Sequence, residues 1–199
     1  TAHLVDSAAA ARLQVLELLA HYQAASVLLW QHEVLDELDF RSALDTEGIQ
    51  LFDYERLHGM RADDARTAIM AADVGITSCD IAIAETGSLV VCSQPGQERI
   101  ASLVTPVHIA VVKREQIVRD LFDAFVRLGE LGFAEIPVVT RQQIMPDLFD
   151  AFEKLQEIEC DGIASNISII TGPSKTGDIE LTLTTGVHGP GKWHVVIIS

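Results

Sequence analysis

Arg61-Ala62-Asp63-Asp64-Ala65-Arg66-Thr67-Ala68-Ile69-Met70-Ala71-Ala72-Asp73-Val74-Gly75-Ile76-Thr77-Ser78-Cys79-Asp80-Ile81-Ala82-Ile83-Ala84-Glu85-Thr86-Gly87-Ser88 decides the reading of the fold. Arg61 to Ala72 is Ala-rich and predicts a helix. Val74 to Thr77 and Asp80 to Ala84 are short apolar runs that predict strands, and Gly87 permits a tight turn after them. The same alternation of helix and short apolar strand extends to both sides.

Upstream, residues 7 to 25 are rich in Ala and Leu and predict a helix with Leu13, Leu16 and Ala20 on one face. Ser26 to Trp30 reads as a buried strand. Val34, Leu35, Leu38 and Leu44 then give a helical stripe that stops before Gly48, and Ile49 to Phe52 reads as the next strand. Downstream, Ser88 to Cys92 and the chain after Gly96 predict a strand pair, Val107 to Val112 a further buried strand, and Arg114 to Leu128 a helix. The hexapeptide Asp-Leu-Phe-Asp-Ala-Phe occurs at 120–125 and again at 147–152, and the Leu three places on is shared. Local duplication and convergence on a common helical face both explain it; in either case the Phe and Leu residues read as core. The pattern predicts an α/β fold, a layered, mainly parallel sheet with flanking helices. Residues 1–199 read as one domain with a helical N-terminal portion before about residue 26.

Forty-eight per cent hydrophobic content in 199 residues supports a sizeable core. No apolar run approaches the ~20 residues that span a bilayer, so no membrane insertion is expected. The chain opens at Thr1 with no basic-then-apolar signal pattern, and reads as a trimmed cytoplasmic protein. Lys and Arg number 14 against 29 Asp and Glu, a formal charge of −15 that repels phosphate backbones and argues against nucleic acid. The three cysteines, Cys79, Cys92 and Cys160, show neither a C-x-x-C nor a Cys/His metal spacing. No metal is expected, and three thiols fall short of the four thiolates or so that a cluster takes. They read as free, mostly buried thiols of a reducing compartment.

Two Gly-punctuated polar segments follow apolar runs: Ala84-Glu85-Thr86-Gly87-Ser88, and Thr171 to Glu180 after Ile167 to Ile170, the second closed by Gly186-Val187-His188-Gly189-Pro190. Polar side chains at the ends of buried strands point to a ligand, because burying one without a partner costs about 1 to 3 kcal/mol. At the first, Glu85 is placed for the crevice at the carboxyl ends of the strands, as nucleophile, general base or acceptor, or as a tie for local backbone N–H groups. Thr86 and Ser88 cap the turn or meet a substrate oxygen.

At the second, Gly172 and Pro173 end a strand, and Ser174 and Thr176 are expected to cap a helix carrying Asp178 and Glu180 on different faces. Lys175 beside that helix start makes a candidate carboxylate or phosphate site. The P-loop order is absent. His188, framed by Gly186 and by Gly189-Pro190, is a candidate acid, base or anion partner. Arg99 is a candidate anion clamp or a surface pairing residue, and His108, inside an apolar strand, reads as a core histidine.

The stretch Gly75 to Val90, then Gly172 to Glu180 and Gly186 to Pro190, resembles the LUD (lactate utilisation) domain family in its single-domain LutC/YkgG form. Three motifs occur in the family's order, across roughly residues 70 to 199. The resemblance implies the fold class shared by ribose-5-phosphate isomerase, glucosamine-6-phosphate deaminase and the coenzyme A transferases (NagB/RpiA/CoA transferase-like). It implies a component of an L-lactate utilisation system that oxidises lactate to pyruvate with iron-sulfur oxidoreductase subunits. The ligand would be a small anion or hydroxy acid, the clusters would sit only in the partners, and a homo-oligomer is compatible.

Two other classes stay open. Ala84-Glu85-Thr86-Gly87 is similar to the Ser-Glu-Asn-Gly turn of class I coenzyme A transferases, which implies a stand-alone acyl-transfer or sugar-phosphate-type enzyme with covalent catalysis by Glu85. The third class is a non-catalytic interaction or ligand-binding subunit. The family motif more often reads Pro-Ser-Arg-Thr-Ala-Asp; here Lys175 and Gly177 depart from it, and Ser88 replaces a frequent Thr. Lys175 keeps the charge without Arg's bidentate fork. The family also runs more directly across the segment that corresponds to 129–160.

Overall fold

The computed structural model describes residues 1–132, 167–177 and 183–198. In chain order the elements are β1 (Ala2–Val5), α1 (Ala8–His21), β2 (Ser26–Leu29), α2 (Glu33–Asp36), α3 (Phe40–Thr46), β3 (Gln50–Phe52), α4 (Tyr54–His58), α5 (Ala62–Ala71), β4 (Val74–Thr77), β5 (Ile81–Ile83) and β6 (Ser88–Cys92). They continue with α6 (Ile100–Leu103), β7 (Val107–Lys113), β8 (Ile117–Val118), α7 (Leu121–Glu130), β9 (Ile167–Ile170), β10 (Lys175–Gly177), β11 (Leu183–Thr185) and β12 (Lys192–Ile198).

A six-stranded sheet in the order β1-β12-β7-β4-β2-β3 is parallel at every pairing. This is the mainly parallel α/β architecture expected. Strands covered on both faces read as continuous apolar runs: all four residues of β2 and of β4 are buried, and so is every residue of β7 before Lys113. Each fully buried aliphatic side chain here contributes about 1.5 to 3 kcal/mol. β7 sits between β12 and β4, with Val111 and Val112 wholly shielded from solvent.

A second sheet, β8-β5-β6-β9, is built from two successive crossovers. The β4-to-β7 connection supplies β5 and β6, and the β7-to-β12 connection supplies β8 and β9. The expected strand around Asp80 to Ala84 is real but belongs here, antiparallel to β6. β10 and β11 form a separate antiparallel pair.

Several local expectations are corrected. α1 buries Ala11, Val15, Leu18 and Leu19, and Leu13 is 62% exposed. An Ala-rich helix offers comparable faces, and docking on the sheet selected this one. The stripe from Val34 to Leu44 is two short helices, broken at Asp39 with a left-handed φ of 46°. β6 pairs with β5 and β9 rather than with the chain after Gly96, which turns at φ 82° and runs on into α6. The helix expected over Arg114 to Leu128 starts only at Leu121. Ile117 and Val118 pair with β5, and Asp120 caps α7 by accepting from Asp123 N at 2.9 Å.

α7 buries Ala124 and Leu128, while Phe122 is 75% and Phe125 43% exposed, so the first Asp-Leu-Phe-Asp-Ala-Phe copy does not place its Phe residues in the core. The second copy, at 147–152, and Cys160 lie outside the described residues. β1 and α4 were not legible in advance; α4 begins where Asp53 accepts from Arg56 N at 2.8 Å.

The adjacent strands β2 and β4 send the chain in opposite directions. β2 leads outward to β3, and β4 leads to β7 on the other side. Their carboxyl ends therefore part and open a crevice, the place where open α/β sheets bind ligands.

Candidate functional site

The Gly-punctuated motifs meet one another. Glu85, Thr86 and Gly87 form the turn between β5 and β6, with Gly87 at φ 65°. Glu85 N donates to Arg119 O at 2.9 Å. Thr86 Oγ1 lies 2.7 Å from Ser88 Oγ, which in turn lies 3.1 Å from Thr171 Oγ1, so a chain of hydroxyls ties the first motif to the start of the second. Ser174 N donates to Pro190 O at 2.8 Å and Gly186 N to Ser174 O at 3.0 Å, joining the second motif to the third. A Cβ on Gly189 would stand 3.2 Å from that of Ser174. Gly172 and Pro173 lie between β9 and β10.

The local form differs from expectation. Lys175 and Thr176 belong to β10, paired with Thr185 and Thr184, so Ser174 and Thr176 cap no helix there and Lys175 does not flank a helix start. The run Lys175-Thr176-Gly177 finds its backbone partners on the antiparallel strand β11 instead. Asp178 and Glu180 lie outside the described residues. Glu85, Lys175, His188 and Arg99 are exposed. Glu85 stands on a hairpin turn of the second sheet, not at the carboxyl ends of the parallel strands, because β5 has left the main sheet. Arg99 sits at the start of α6, and no hydrogen bond or ion pair joins it to Glu85, Lys175 or His188 among the described residues. Below the turn, Gly87, Ser88 and Leu89 of one sheet and Val112, Trp193 and Val195 of the other enclose a mostly apolar cavity of about 380 Å³.

The crevice at the carboxyl ends is larger, about 750 Å³, and polar. β2 delivers Gln31 and His32 to it, β4 delivers Cys79 and Asp80, and β7 delivers Lys113 and Gln116. Its walls are fastened by backbone contacts. Trp30 N donates to Ile76 O at 3.1 Å and Gln31 N to Gly96 O at 2.9 Å. Gln116 accepts Lys113 N at 2.7 Å through Oε1, and its Nε2 donates to Ser78 Oγ at 3.2 Å and to Cys79 O.

Two half-buried titratable groups face each other there. Burial lowers the pKa of His32, partly offset by the Asp80 carboxylate. Burial raises the pKa of Asp80, partly offset by the Cys92 N–H that its Oδ2 accepts at 2.7 Å. His32 Nδ1 accepts Val34 N–H at 3.2 Å. That bond places the proton of the neutral ring on Nε2. Burial also pushes the Cys79 thiol up, and the Cys92 thiol up to about 12. Among the described residues no group of three or more His, Cys, Asp and Glu is placed to hold a metal ion.

Sequence reasoning missed His32 and Asp80. The available signal was position: each is the third residue after a buried strand, Ser26 to Leu29 and Val74 to Thr77, whose ends the sheet order brings together.

The family model described as the LUD domain matches residues 1–137 and 134–198. A protein named lactate utilization protein C from Shouchella clausii is 29% identical over 186 residues, covering 92% of this chain and 66% of its own length. A protein of the same name from Halalkalibacterium halodurans is 28% identical over 181 residues, covering 91% of this chain and 66% of its own length. The chain thus spans just under two thirds of these relatives. A crystal structure of a DUF162 family protein from Deinococcus radiodurans aligns over 97% of this chain and 99% of its own, at 19% identity and a TM-score of 0.44.

Proposed function

This chain belongs to the LUD domain family, and on that premise we propose that it works in lactate utilisation, as a cytoplasmic component that handles a small 2-hydroxy acid beside iron-sulfur oxidoreductase subunits. The observation that carries this reading is the match, over 92% of the chain, to a protein named lactate utilization protein C.

The chemistry of the residues supports a division of labour. Oxidising a 2-hydroxy acid to a 2-oxo acid removes two electrons and two protons, and something must take the electrons. A cluster uses about four thiolates, and the whole sequence holds three cysteines. Two of these, Cys79 and Cys92, are buried thiols with raised pKa, poor sources of thiolate near neutral pH. In this reading the partners hold the clusters and accept the electrons, while this chain binds and orients the ligand. No helix among the described residues is long and apolar enough to cross a membrane.

The test is genetic. A strain lacking the full protein is grown on L-lactate and on glucose as sole carbon source. Loss of growth on lactate alone, restored by the protein, is the expected result; unimpaired growth on lactate overturns the reading.

A further inference from the structure

We propose that the crevice between the carboxyl ends of β2 and β4 is a binding site for a small hydroxylated molecule of at most one negative charge, with Asp80 accepting a ligand hydroxyl and His32 Nε2–H donating to a neighbouring ligand oxygen. The choice of a 2-hydroxy acid as such a ligand rests on the lactate reading; the site itself does not.

Topology comes first. The crevice lies where the chain leaves two adjacent parallel strands in opposite directions, a position that recurs as the ligand site of open α/β sheets. Its volume of about 750 Å³ accommodates a small molecule with its water.

Direction of hydrogen bonding comes second. The bond from Val34 N–H to Nδ1 leaves His32 a donor at Nε2 toward a ligand oxygen. Asp80 is anchored from behind through Oδ2 by Cys92 N–H, and a carboxylate has lone pairs left for further donors. Gln31 and Gln94 line the same space and suit hydroxyl groups, since a carboxamide both donates and accepts. A donor at His32 Nε2 beside an acceptor at Asp80 matches a ligand that offers a hydroxyl next to a carbonyl or carboxylate oxygen.

Charge comes third. Glu33, Asp36, Asp80 and Glu115 line the crevice against Lys113 and Arg127. Both cations already carry partners, Lys113 with Glu37 at 2.6 Å and Arg127 with Glu130 at 2.9 Å. A phosphorylated sugar or an acyl-coenzyme A would bring several negative charges to this wall and be repelled. A single carboxylate can share Lys113 with Glu37.

The experiment is an amide NMR titration of the ¹⁵N-labelled protein with sodium L-lactate, with glycerol and with inorganic phosphate, repeated on Asp80→Asn, His32→Gln and Glu85→Gln. The expected result is that lactate and glycerol move the signals of Gln31, His32 and Asp80, that phosphate leaves them unmoved, and that Asp80→Asn and His32→Gln each weaken binding at least tenfold while Glu85→Gln does not. Signals remote from the crevice report whether each variant keeps its fold, and His32→Gln serves if Asp80→Asn does not. Movement with glycerol but not lactate upholds the site and counts against a hydroxy acid as the ligand. The proposal is overturned if neither hydroxylated probe moves the crevice signals, if phosphate moves them as strongly, or if the response lies instead at Thr86 to Ser88 and is lost in Glu85→Gln.

Discussion

Ser26 and Asp73 are joined reciprocally. Asp73 Oδ2 accepts both Ser26 N and Ser26 Oγ at 2.9 Å, and Asp73 N donates back to Ser26 Oγ at 3.2 Å. Ala25 N adds a further bond to the same oxygen at 3.0 Å. Ser26 opens β2 and Asp73 precedes β4, so the strands whose carboxyl ends form the crevice are pinned together at their amino ends.

Asp73→Ala is accordingly expected to cost about 3 kcal/mol, because several bonds to one carboxylate are lost and two backbone donors are left without that partner. Ser26→Ala spares both backbone bonds to Asp73 Oδ2 and should cost about 1 kcal/mol. Urea unfolding of the two variants checks the order; equal losses would refute this account of the pin.

Gly75 and Gly87 are predicted to differ sharply when changed to Ala. A Cβ on Gly75 would lie 1.8 Å from the carbonyl oxygen of Ala101 and 2.9 Å from Thr105 Oγ1, so α6 would have to leave the sheet. A loss of about 3 kcal/mol or more is expected. Gly87 has open space around it but sits at φ 65°, and its replacement should cost about 1 to 2 kcal/mol of backbone strain. Thermal melting of both variants gives the comparison.

His108 makes stability depend on pH. It is fully buried, with Nε2 2.8 Å from Thr77 Oγ1, and burial lowers its pKa from 6.5 to about 3. Above pH 6.5 the ring is neutral folded or unfolded, and it adds no pH dependence. Between 6.5 and about 3 the unfolded chain binds a proton that the folded chain refuses, so stability falls by about 1.4 kcal/mol per pH unit. His108→Gln should lose that contribution to the slope, as read from urea midpoints at pH 7.5, 6 and 5. Parallel slopes in the two proteins would show that His108 does not titrate this way.

Cys79 and Cys92 should resist alkylation. Both are buried and their thiols are pushed upward by burial and by the Asp80 charge. Iodoacetamide at neutral pH is expected to label the peptides holding them only after denaturant is added, as peptide mapping by mass spectrometry would show. Rapid labelling of either in the folded protein would contradict this burial.

The parallel sheet was legible because its strands announce themselves locally. Val107 to Val112 and Ser26 to Leu29 are continuous apolar runs separated by Ala-rich helices, and such runs are stable only when both faces are covered. The Gly-punctuated motifs stand out in the sequence, but their meeting does not: the contact of Ser88 with Thr171 depends on β6 pairing with β9, far apart in sequence. At Lys175 to Gly177 the sequence is ambiguous, since Ser and Thr before acidic residues also make a good helix cap, and only the partner strand settles the competition.

Local sequence specifies an α/β protein with a buried parallel sheet, because apolar runs of strand length between helical segments are satisfied only where both faces are covered. Tertiary structure decided which face of α1 is buried, which strands left the main sheet for a second one, and where the chain parts to open a crevice. Propensity and periodicity are carried by neighbouring residues, whereas His32 and Asp80 come together only through the order in which distant strands pair.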